Sequence, residues 1–336
     1  MTIAVFLGSL LGAMALGVPI AYALLVSGVA LMWYLNLFDA QILAQNLIEG
    51  ANSFTLLAVP FFLLAGEIMN VGGLSKRIVN AALAVVGHVR GGLGYVAIIA
   101  ACLLASLSGS AVADAAALTA LLLPMMVKAG HGKARSAGLL AAGGIIAPII
   151  PPSIGLVIFG VAANVSITKL FLAGIVPGLL IGASLWATWW WLSRREQIAV
   201  PGRKSLAEML KALRESAWAM GLPFIILVGL RFGVFTPTEA AVVAAVYALF
   251  VATVVYRELK ISQIFGVLVS AAKITSIIMF LVAAALVSSW LITVAQIPQQ
   301  MIALLQPFMG SQMLLMIAIM LLVMAVGTAK IGRAHV

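Results

Sequence analysis

The sequence predicts an all-α polytopic membrane protein built from an inverted repeat whose second copy is incomplete. Of the 336 residues, 64% are hydrophobic and only 8% are charged, whereas soluble domains carry roughly 25% charged residues. Two neighbouring apolar runs are each interrupted in the middle, one by SLSGS at 106–110 and one by a proline cluster at 148–152. A loose repeat places Pro19 and Pro237 218 positions apart in similar surroundings.

The basic residues lie in short clusters between the apolar runs, although the net charge is +10. Lys and Arg distributed in this way mark the cytoplasmic connections of a membrane protein and do not indicate a nucleic-acid partner. A single cysteine excludes an intrachain disulfide. We therefore expect a multi-pass protein of a bacterial inner membrane, whose partner is the lipid bilayer.

The apolar runs predict individual elements. The segment 38–53 predicts an amphipathic helix at the membrane interface, since Asp39, Glu49 and several amides alternate with apolar residues. The run Trp189-Trp190-Trp191 predicts an interfacial aromatic belt, and His88 and His131 are expected in solvated basic connections. Uninterrupted spans are predicted at 3–17, 20–36, 55–71, 170–192, 217–235, 238–256, 274–292 and 311–328.

Residues 93–127 are predicted to form a re-entrant helical hairpin with SLSGS at its tip. Basic patches at 72–92 and 128–135 place both ends on the cytoplasmic side. Each arm has only about 16 residues, short of the ~20 that are needed to cross ~30 Å of hydrocarbon. Residues 136–163 then cross outward as a helix broken at its prolines.

The same patterns predict the domain organisation. Residues 1–192 form the first repeat, 193–216 a basic cytoplasmic loop, and 217–328 the incomplete second repeat. Residues 329–336 are predicted to be a non-native tail, because the composition changes abruptly and KIGRAHV looks like a translated sequencing adapter. The alternative is a short basic cytoplasmic tail.

Two adjacent breaks predict a midplane binding site, because non-helical backbone survives in a membrane only where it is buried or lines a cavity. Carbonyls and hydroxyls suit a hard cation such as Na⁺, and positive helix N-termini suit an anionic substrate. The candidate Na⁺ residues are Ser106, Ser108, Gly109, Asp114, Gly143 and Gly144. The candidate substrate-binding residues are Ser108, Gly109, Ser110, Pro151, Pro152 and Ser153.

Other roles stay open for these residues. The breaks are alternatively kinks that only shape packing. Asp114 is a cation ligand, a proton carrier or a charge at the start of the returning helix, and the last role is slightly favoured. For Glu239, which follows Pro237 in a first helical turn, helix capping is expected. The repeat offset relates Gly109 to Gly327, so Gly327 and Thr328 are predicted to be a remnant of a second half-site.

No enzyme motif is found. The chain lacks HExxH, G-x-S-x-G, CxxC and a Walker A lysine, so we expect neither an enzyme nor an ATP-driven pump.

Several strings resemble the large membrane subunit of tripartite ATP-independent periplasmic (TRAP) transporters, the DctM-like family. They are LGVPIAYAL at 16–24, LLAVPFFLLAGEIMNVGGLSKRI at 56–78, SGSAVADAAAL at 108–118, the run 138–180 with PPSI, and GVFTPTEAAVVAAVYAL at 233–249.

The resemblance implies Na⁺-coupled uptake of an organic anion, usually a carboxylate, delivered by a periplasmic binding protein. It also implies a small four-helix membrane subunit and an elevator-type motion of two hairpins. The chain departs from the family at Ala111, where a second Ser or Thr is usual, and after Thr328, where a second hairpin is usual. We therefore expect a C-terminally truncated chain without its second Na⁺ site, which at this length would be inactive. The alternatives are a stand-alone Na⁺/dicarboxylate-type symporter and a non-transporting membrane scaffold.

Overall fold

The structure is a computed structural model that describes residues 1–108, 111–194, 202–306 and 310–331. The side chains of 107, 108, 112, 113, 304, 305 and 325–331 lie outside this description. Every regular element within it is helical. The α-helices are α1 Thr2–Ala15, α2 Ile20–Tyr34, α3 Ala40–Ala51, α4 Ala58–Val71, α5 Leu74–Val86, α6 Gly92–Ser108, α7 Ala111–Lys128, α8 Lys133–Gly144, α9 Ile154–Ala162, α10 Ile167–Ser193, α11 Leu206–Arg231, α12 Pro237–Phe250, α13 Ile261–Val294, α14 Ile297–Leu305 and α15 Gln312–Ile331.

Among the described residues, five helical segments are long and apolar enough to cross a membrane. They are Phe54–Val71, Ile167–Ser193, Leu206–Arg231, Pro237–Val255 and Ile261–Val294. The first joins a 3₁₀ turn at Phe54–Leu57 to α4, and the fourth continues α12 into a π-helical turn at Val251–Val255. The predicted all-α polytopic class is thereby confirmed.

The chain divides into two compact units. A flanking unit contains Met1–Ser53 and Ser276–Val336, and a central unit contains Phe54–Thr275. Helix α13 contributes its beginning to the central unit and its remainder to the flanking unit. The hairpin and the proline break of the sequence analysis both fall in the central unit.

The flanking unit is built on α2 and the later part of α13. Its core includes Leu31, Met32, Val287 and Leu291, all at most 1% exposed. Helix α3 begins at Asp39, whose carboxylate accepts from two backbone N–H groups of the first turn, and none of its residues is buried. It occupies the segment 38–53; its place at the membrane interface stays a prediction.

Helix α5 in the central unit was missed by the sequence analysis, which assigned 72–92 to a basic connection. Its buried face packs into the unit, while the Arg77 guanidinium lies 2.6 Å from Glu258 and 3.8 Å from the centre of the Tyr256 ring. The Tyr256 hydroxyl donates to the Glu215 carbonyl at 2.6 Å. Two basic residues in the first turns therefore concealed an amphipathic helix.

Helix α11 also begins earlier than its predicted span of 217–235. Ser205 and Glu208 form a capping box that starts the helix inside the predicted loop 193–216. At α12, Thr236 and Glu239 form the same arrangement around Pro237, so the expected capping role of Glu239 is confirmed. Helix α13 extends its predicted span of 274–292 back to Ile261, and α14 lies within the predicted connection 294–310.

Candidate functional site

Helices α6 and α7 form an antiparallel pair whose two outer ends meet at Trp189 of α10. The indole N–H of Trp189 donates to the Gly91 carbonyl, just before α6, at 2.8 Å. The imidazole of His131, just after α7, lies with its ring centre 5.2 Å from that of Trp189. Helix α6 has 17 residues, which span about 26 Å, less than the ~30 Å of a bilayer core. A helix of this length, paired so that both outer ends meet, is compatible with a re-entrant hairpin. That the hairpin enters and leaves through one face of the membrane stays a prediction.

The tip of this pair carries the first set of candidate residues. Ser106 is buried and its hydroxyl donates to the Leu103 carbonyl at 2.6 Å, which leaves lone pairs of its oxygen for a cation. Ser108 is the last residue of α6. Its side chain, and all of Gly109 and Ser110, lie outside the described residues.

Asp114 is the ionisable candidate of the site. It lies in the first turn of α7 and is 2% exposed. This position satisfies the predicted helix-start role, because a carboxylate is favourable near the positive end of a helix. A negative charge at the same place also attracts a cation, so ligation stays open.

The second break separates α8, which ends at Gly144, from α9, which begins at Ile154. The chain leaves α8 through tight turns, with the Ile146 N–H donating to the Gly143 carbonyl at 3.1 Å and the Ala147 N–H donating to the Gly144 carbonyl at 3.2 Å. In such non-helical backbone the carbonyl groups leave the regular hydrogen-bond pattern of an α-helix, and they can act as ligands of a cation.

Pro151, Pro152 and Ser153 lie buried at the far end of the break. The Ser153 hydroxyl donates to the Pro148 carbonyl at 2.6 Å and accepts from the Leu156 N–H at 3.2 Å. Ser153 is therefore the N-cap of α9, and its donor is already used. Its predicted contact with an anionic substrate would therefore involve backbone N–H groups at the N-terminus of α9.

The end of α8 packs directly on the hairpin. A Cβ atom at Gly144 would lie 2.8 Å from the Ala115 Cβ and 3.0 Å from the Ala111 carbonyl oxygen, both in the first turns of α7. A Cβ at Gly143 would lie 3.1 Å from the Ala101 Cβ of α6. Gly144 thus brings the beginning of the break against the turn of α7 that contains Asp114, and Gly143 brings it against α6.

Helix α10 supports the other side of the break through glycines that the sequence analysis did not single out. Gly174 has no room for a Cβ beside the Ile149 carbonyl, and Gly178 has none beside Ile150. Gly182 faces the Cys102 sulfur of α6, which its Cβ would approach to 2.9 Å. The four-residue spacing of these glycines in the sequence was an available signal, because small residues at this spacing allow membrane helices to approach closely.

Two predictions near this site are wrong. Trp189 does not belong to an exposed aromatic belt, because it is 2% exposed, whereas Trp190 and Trp191 are 47% and 60% exposed. His131 is not solvated; it is 4% exposed against the Trp189 ring. In both cases the local sequence is interfacial in character, and the packing of α6, α7 and α10 buries the ring.

The site offers oxygen atoms, which suit a hard cation, and a helix N-terminus, which suits an anion. No group of three His, Cys, Asp or Glu side chains that could hold a transition metal is found in the described part of the chain. The oxygen atoms that could bind a cation near Gly144 and Asp114 belong to a carboxylate and to main-chain carbonyls. The Ser106 hydroxyl lies near the tip. Oxygen ligands of this kind suit Na⁺.

Gly327 and Thr328, the predicted remnant of a second half-site, lie within α15. Their side chains fall outside the described residues, so their role stays a prediction.

The fold and the site define a multi-pass membrane protein in which the end of α8 packs on the turn of α7 that carries the buried residue Asp114. Comparison with known families narrows this class. The model of the DctM component of tripartite ATP-independent periplasmic transporters matches residues 7–329, and the chain belongs to this family of membrane permeases, which are not enzymes.

Individual relatives agree with the family match. The chain is 56% identical over 327 residues to the 2,3-diketo-L-gulonate TRAP transporter large permease protein of Escherichia coli (strain K12), covering 97% of this chain and 77% of the relative. It is 43% identical to the C4-dicarboxylate TRAP transporter large permease protein of Pseudomonas aeruginosa, covering 76% and 60%. It is 37% identical to the sialic acid TRAP transporter large permease protein of Vibrio cholerae, covering 95% and 74%.

Proposed function

We propose that this protein is the large membrane subunit of a TRAP transporter that imports an organic acid together with Na⁺. The observation that carries the proposal is the contact of Gly144 with the first turns of α7. In this contact the beginning of a backbone break packs on the helical turn that carries the buried residue Asp114, inside one compact unit. Polar groups of this kind are costly within a membrane and mark ion or substrate pathways.

A carboxylate substrate is supported by the relatives. Those compared above are named for 2,3-diketo-L-gulonate, C4-dicarboxylates and sialic acid. Each of these compounds carries a carboxylate. The 56% identity to the diketogulonate permease favours a sugar acid over a C4-dicarboxylate.

The coupling ion is proposed to bind where oxygen donors gather. Asp114, Ser106 and the carbonyls of Gly143 and Gly144 would hold Na⁺ together with the tip residues Ser108 and Gly109. The substrate carboxylate would contact Ser108, Gly109 and Ser110, and the N-terminal end of α9 at Pro151, Pro152 and Ser153, where the helix dipole is positive.

An inverted-repeat, elevator-type architecture is part of this proposal. Shifted by the 218 positions that separate Pro19 from Pro237, the helices keep their order: α1 precedes α2 as α11 precedes α12, and α5 precedes α6 as α14 precedes α15. Helices α3 and α4 take the place of the single helix α13. In this mechanism the hairpin and the break would carry the site across the bilayer.

The partners follow from the tripartite family. We propose a small four-helix membrane subunit and a periplasmic binding protein that delivers the substrate, in a bacterial inner membrane.

Uptake into proteoliposomes tests this proposal. The full-length protein is reconstituted with the small membrane subunit and the periplasmic binding protein proposed above, and labelled 2,3-diketo-L-gulonate is supplied outside. We expect uptake with an inward Na⁺ gradient and none with an equal K⁺ gradient. Asp114→Asn should reduce uptake at least tenfold, a loss of ~1.4 kcal/mol of ion binding.

Asp39→Asn is the matched control, because Asn caps α3 about as well as Asp does and Asp39 is exposed. Equal uptake with Na⁺ and K⁺ would refute Na⁺ coupling. Uptake without the binding protein would favour the stand-alone symporter. An absence of uptake with every acid, from a chain that folds, would favour the scaffold.

A further inference from the structure

Helix α10 contacts the hairpin and the break at successive levels along its length. Near its beginning, Gly174 and Gly178 pack on the break at Ile149 and Ile150. In its middle, Gly182 packs on Cys102 of α6. Near its end, Trp189 packs on the base of the hairpin. One continuous helix of 27 residues therefore sets how far the hairpin stands from the break.

Trp189 makes the most specific of these contacts. Its indole N–H donates to the Gly91 carbonyl at 2.8 Å, and its ring leaves no room for a side chain at Gly94 in the first turn of α6. The same ring faces His131 at the end of α7. One side chain thus holds both ends of the hairpin, where a change in angle has the greatest effect on the tip.

The length of α6 converts a small rotation at its base into a large displacement at its tip. From Gly92 to Ser106 the helix rises about 21 Å. A tilt of about 10° at the base would therefore move the tip by about 4 Å, well beyond the ~0.5 Å within which a binding site must be held.

We propose that Trp189 is a positioning residue, which clamps both ends of the α6–α7 hairpin to α10 and thereby fixes where the hairpin tip lies relative to the break at 145–153. That Trp189 holds both ends of the hairpin is inferred from its contacts alone. Its effect on ion binding rests on the proposed function, in which the tip holds Na⁺.

Hydrogen exchange measured by mass spectrometry separates the clamp from a merely local role. The purified protein in nanodiscs is compared in K⁺ and in Na⁺ for the wild type, Trp189→Phe and Trp189→Leu. Phenylalanine keeps an aromatic ring near His131 but removes the N–H donor and part of the indole that packs at Gly94. It is the milder of the two changes and serves if the leucine variant does not fold. Trp190→Leu is the matched control, because Trp190 is 47% exposed and contacts the Arg194 guanidinium at 3.7 Å.

In K⁺, we expect both Trp189 variants to raise exchange at the base, in peptides covering 87–95, and also at the tip, in peptides covering 104–116. The control should match the wild type at both places. Faster exchange at the base with an unchanged tip in both variants would overturn the proposal, because Trp189 would then act only locally. An unchanged base in Trp189→Leu would overturn it as well.

The Na⁺ comparison adds a binding readout. If the tip holds Na⁺, then Na⁺ slows exchange at 104–116 in the wild type, and Trp189→Phe requires about fivefold more Na⁺ for half protection, the factor expected from losing one hydrogen bond. An unshifted Na⁺ requirement would refute the effect of the clamp on binding. An absence of Na⁺ protection in the wild type would refute the Na⁺ site of the proposed function, and the K⁺ comparison would still decide the clamp.

Discussion

The replacement Gly144→Ala tests the contact between the broken helix and the hairpin. The new Cβ would lie 2.8 Å from the Ala115 Cβ and 3.0 Å from the Ala111 carbonyl oxygen. Carbon atoms pack comfortably at about 3.5–4.0 Å, so α8 and α7 must separate locally by about 0.7–1.2 Å. Neither neighbour is the end of a flexible side chain, and the strain cannot be relieved by a rotamer change.

Overpacking of this kind costs about 1–3 kcal/mol, and replacing a helical glycine by alanine returns up to about 1 kcal/mol. We therefore expect Gly144→Ala to lower the free energy of unfolding by about 1–2 kcal/mol. The displacement also exceeds the ~0.5 Å tolerance of a binding site. Na⁺-driven uptake should consequently fall more than stability alone would explain.

The same helix supplies matched controls. A Cβ at Gly138 would meet nothing within 4 Å, so Gly138→Ala should stabilise the protein by up to about 1 kcal/mol. Gly143→Ala, 3.1 Å from the Ala101 Cβ, should fall between the two. Thermal unfolding in detergent, followed by tryptophan fluorescence, gives the order. Equal midpoints for Gly138→Ala and Gly144→Ala would refute the close contact.

Two further predictions concern α10 and α12. Gly174→Ala should cost about 3 kcal/mol or more because its Cβ meets a backbone carbonyl of the break, whereas Gly182→Ala should cost less than about 1 kcal/mol because the Cys102 sulfur can move aside; similar unfolding midpoints for the two variants would contradict this. Thr236→Val removes the cap of α12 and should cost about 0.5–2 kcal/mol, while Glu239→Gln keeps the capping box and should change stability little. Calorimetry of the two variants would show the difference, and an unaffected Thr236→Val would contradict the capping role.

Local chemistry made several elements predictable from the sequence. Three prolines within five residues remove three backbone N–H donors from one stretch, and this cluster marked the break that the structure places between α8 and α9. The capping role of Glu239 was also predictable, because Thr236, Pro237 and Glu239 interact within a single helical turn. The hairpin arms followed from segment length, which is set by bilayer thickness.

Tertiary packing determined what the sequence did not reveal. The string Trp189-Trp190-Trp191 is uniform, yet only its first ring is buried, because the approach of α6 and α7 selects one face of α10. His131 is buried for the same reason. Helix α5 was hidden because Lys76 and Arg77 marked its first turns as a cytoplasmic connection, although its opposite face is apolar and packs into the central unit.

The buried carboxylate of Asp114 also makes the proposed transport cycle sensitive to voltage. A unit charge crossing the whole membrane field changes in energy by ~2.3 kcal/mol per 100 mV. If Asp114 is ionised and moves with the hairpin, the net charge that it carries across the membrane is zero over a full cycle. In each half of the cycle alone it is not zero. The Na⁺-loaded step carries a neutralised carboxylate, whereas the empty return carries a net negative charge. An inside-negative potential therefore drives the empty carrier back to face outward, and Asp114→Asn should remove this contribution from transient currents recorded without substrate.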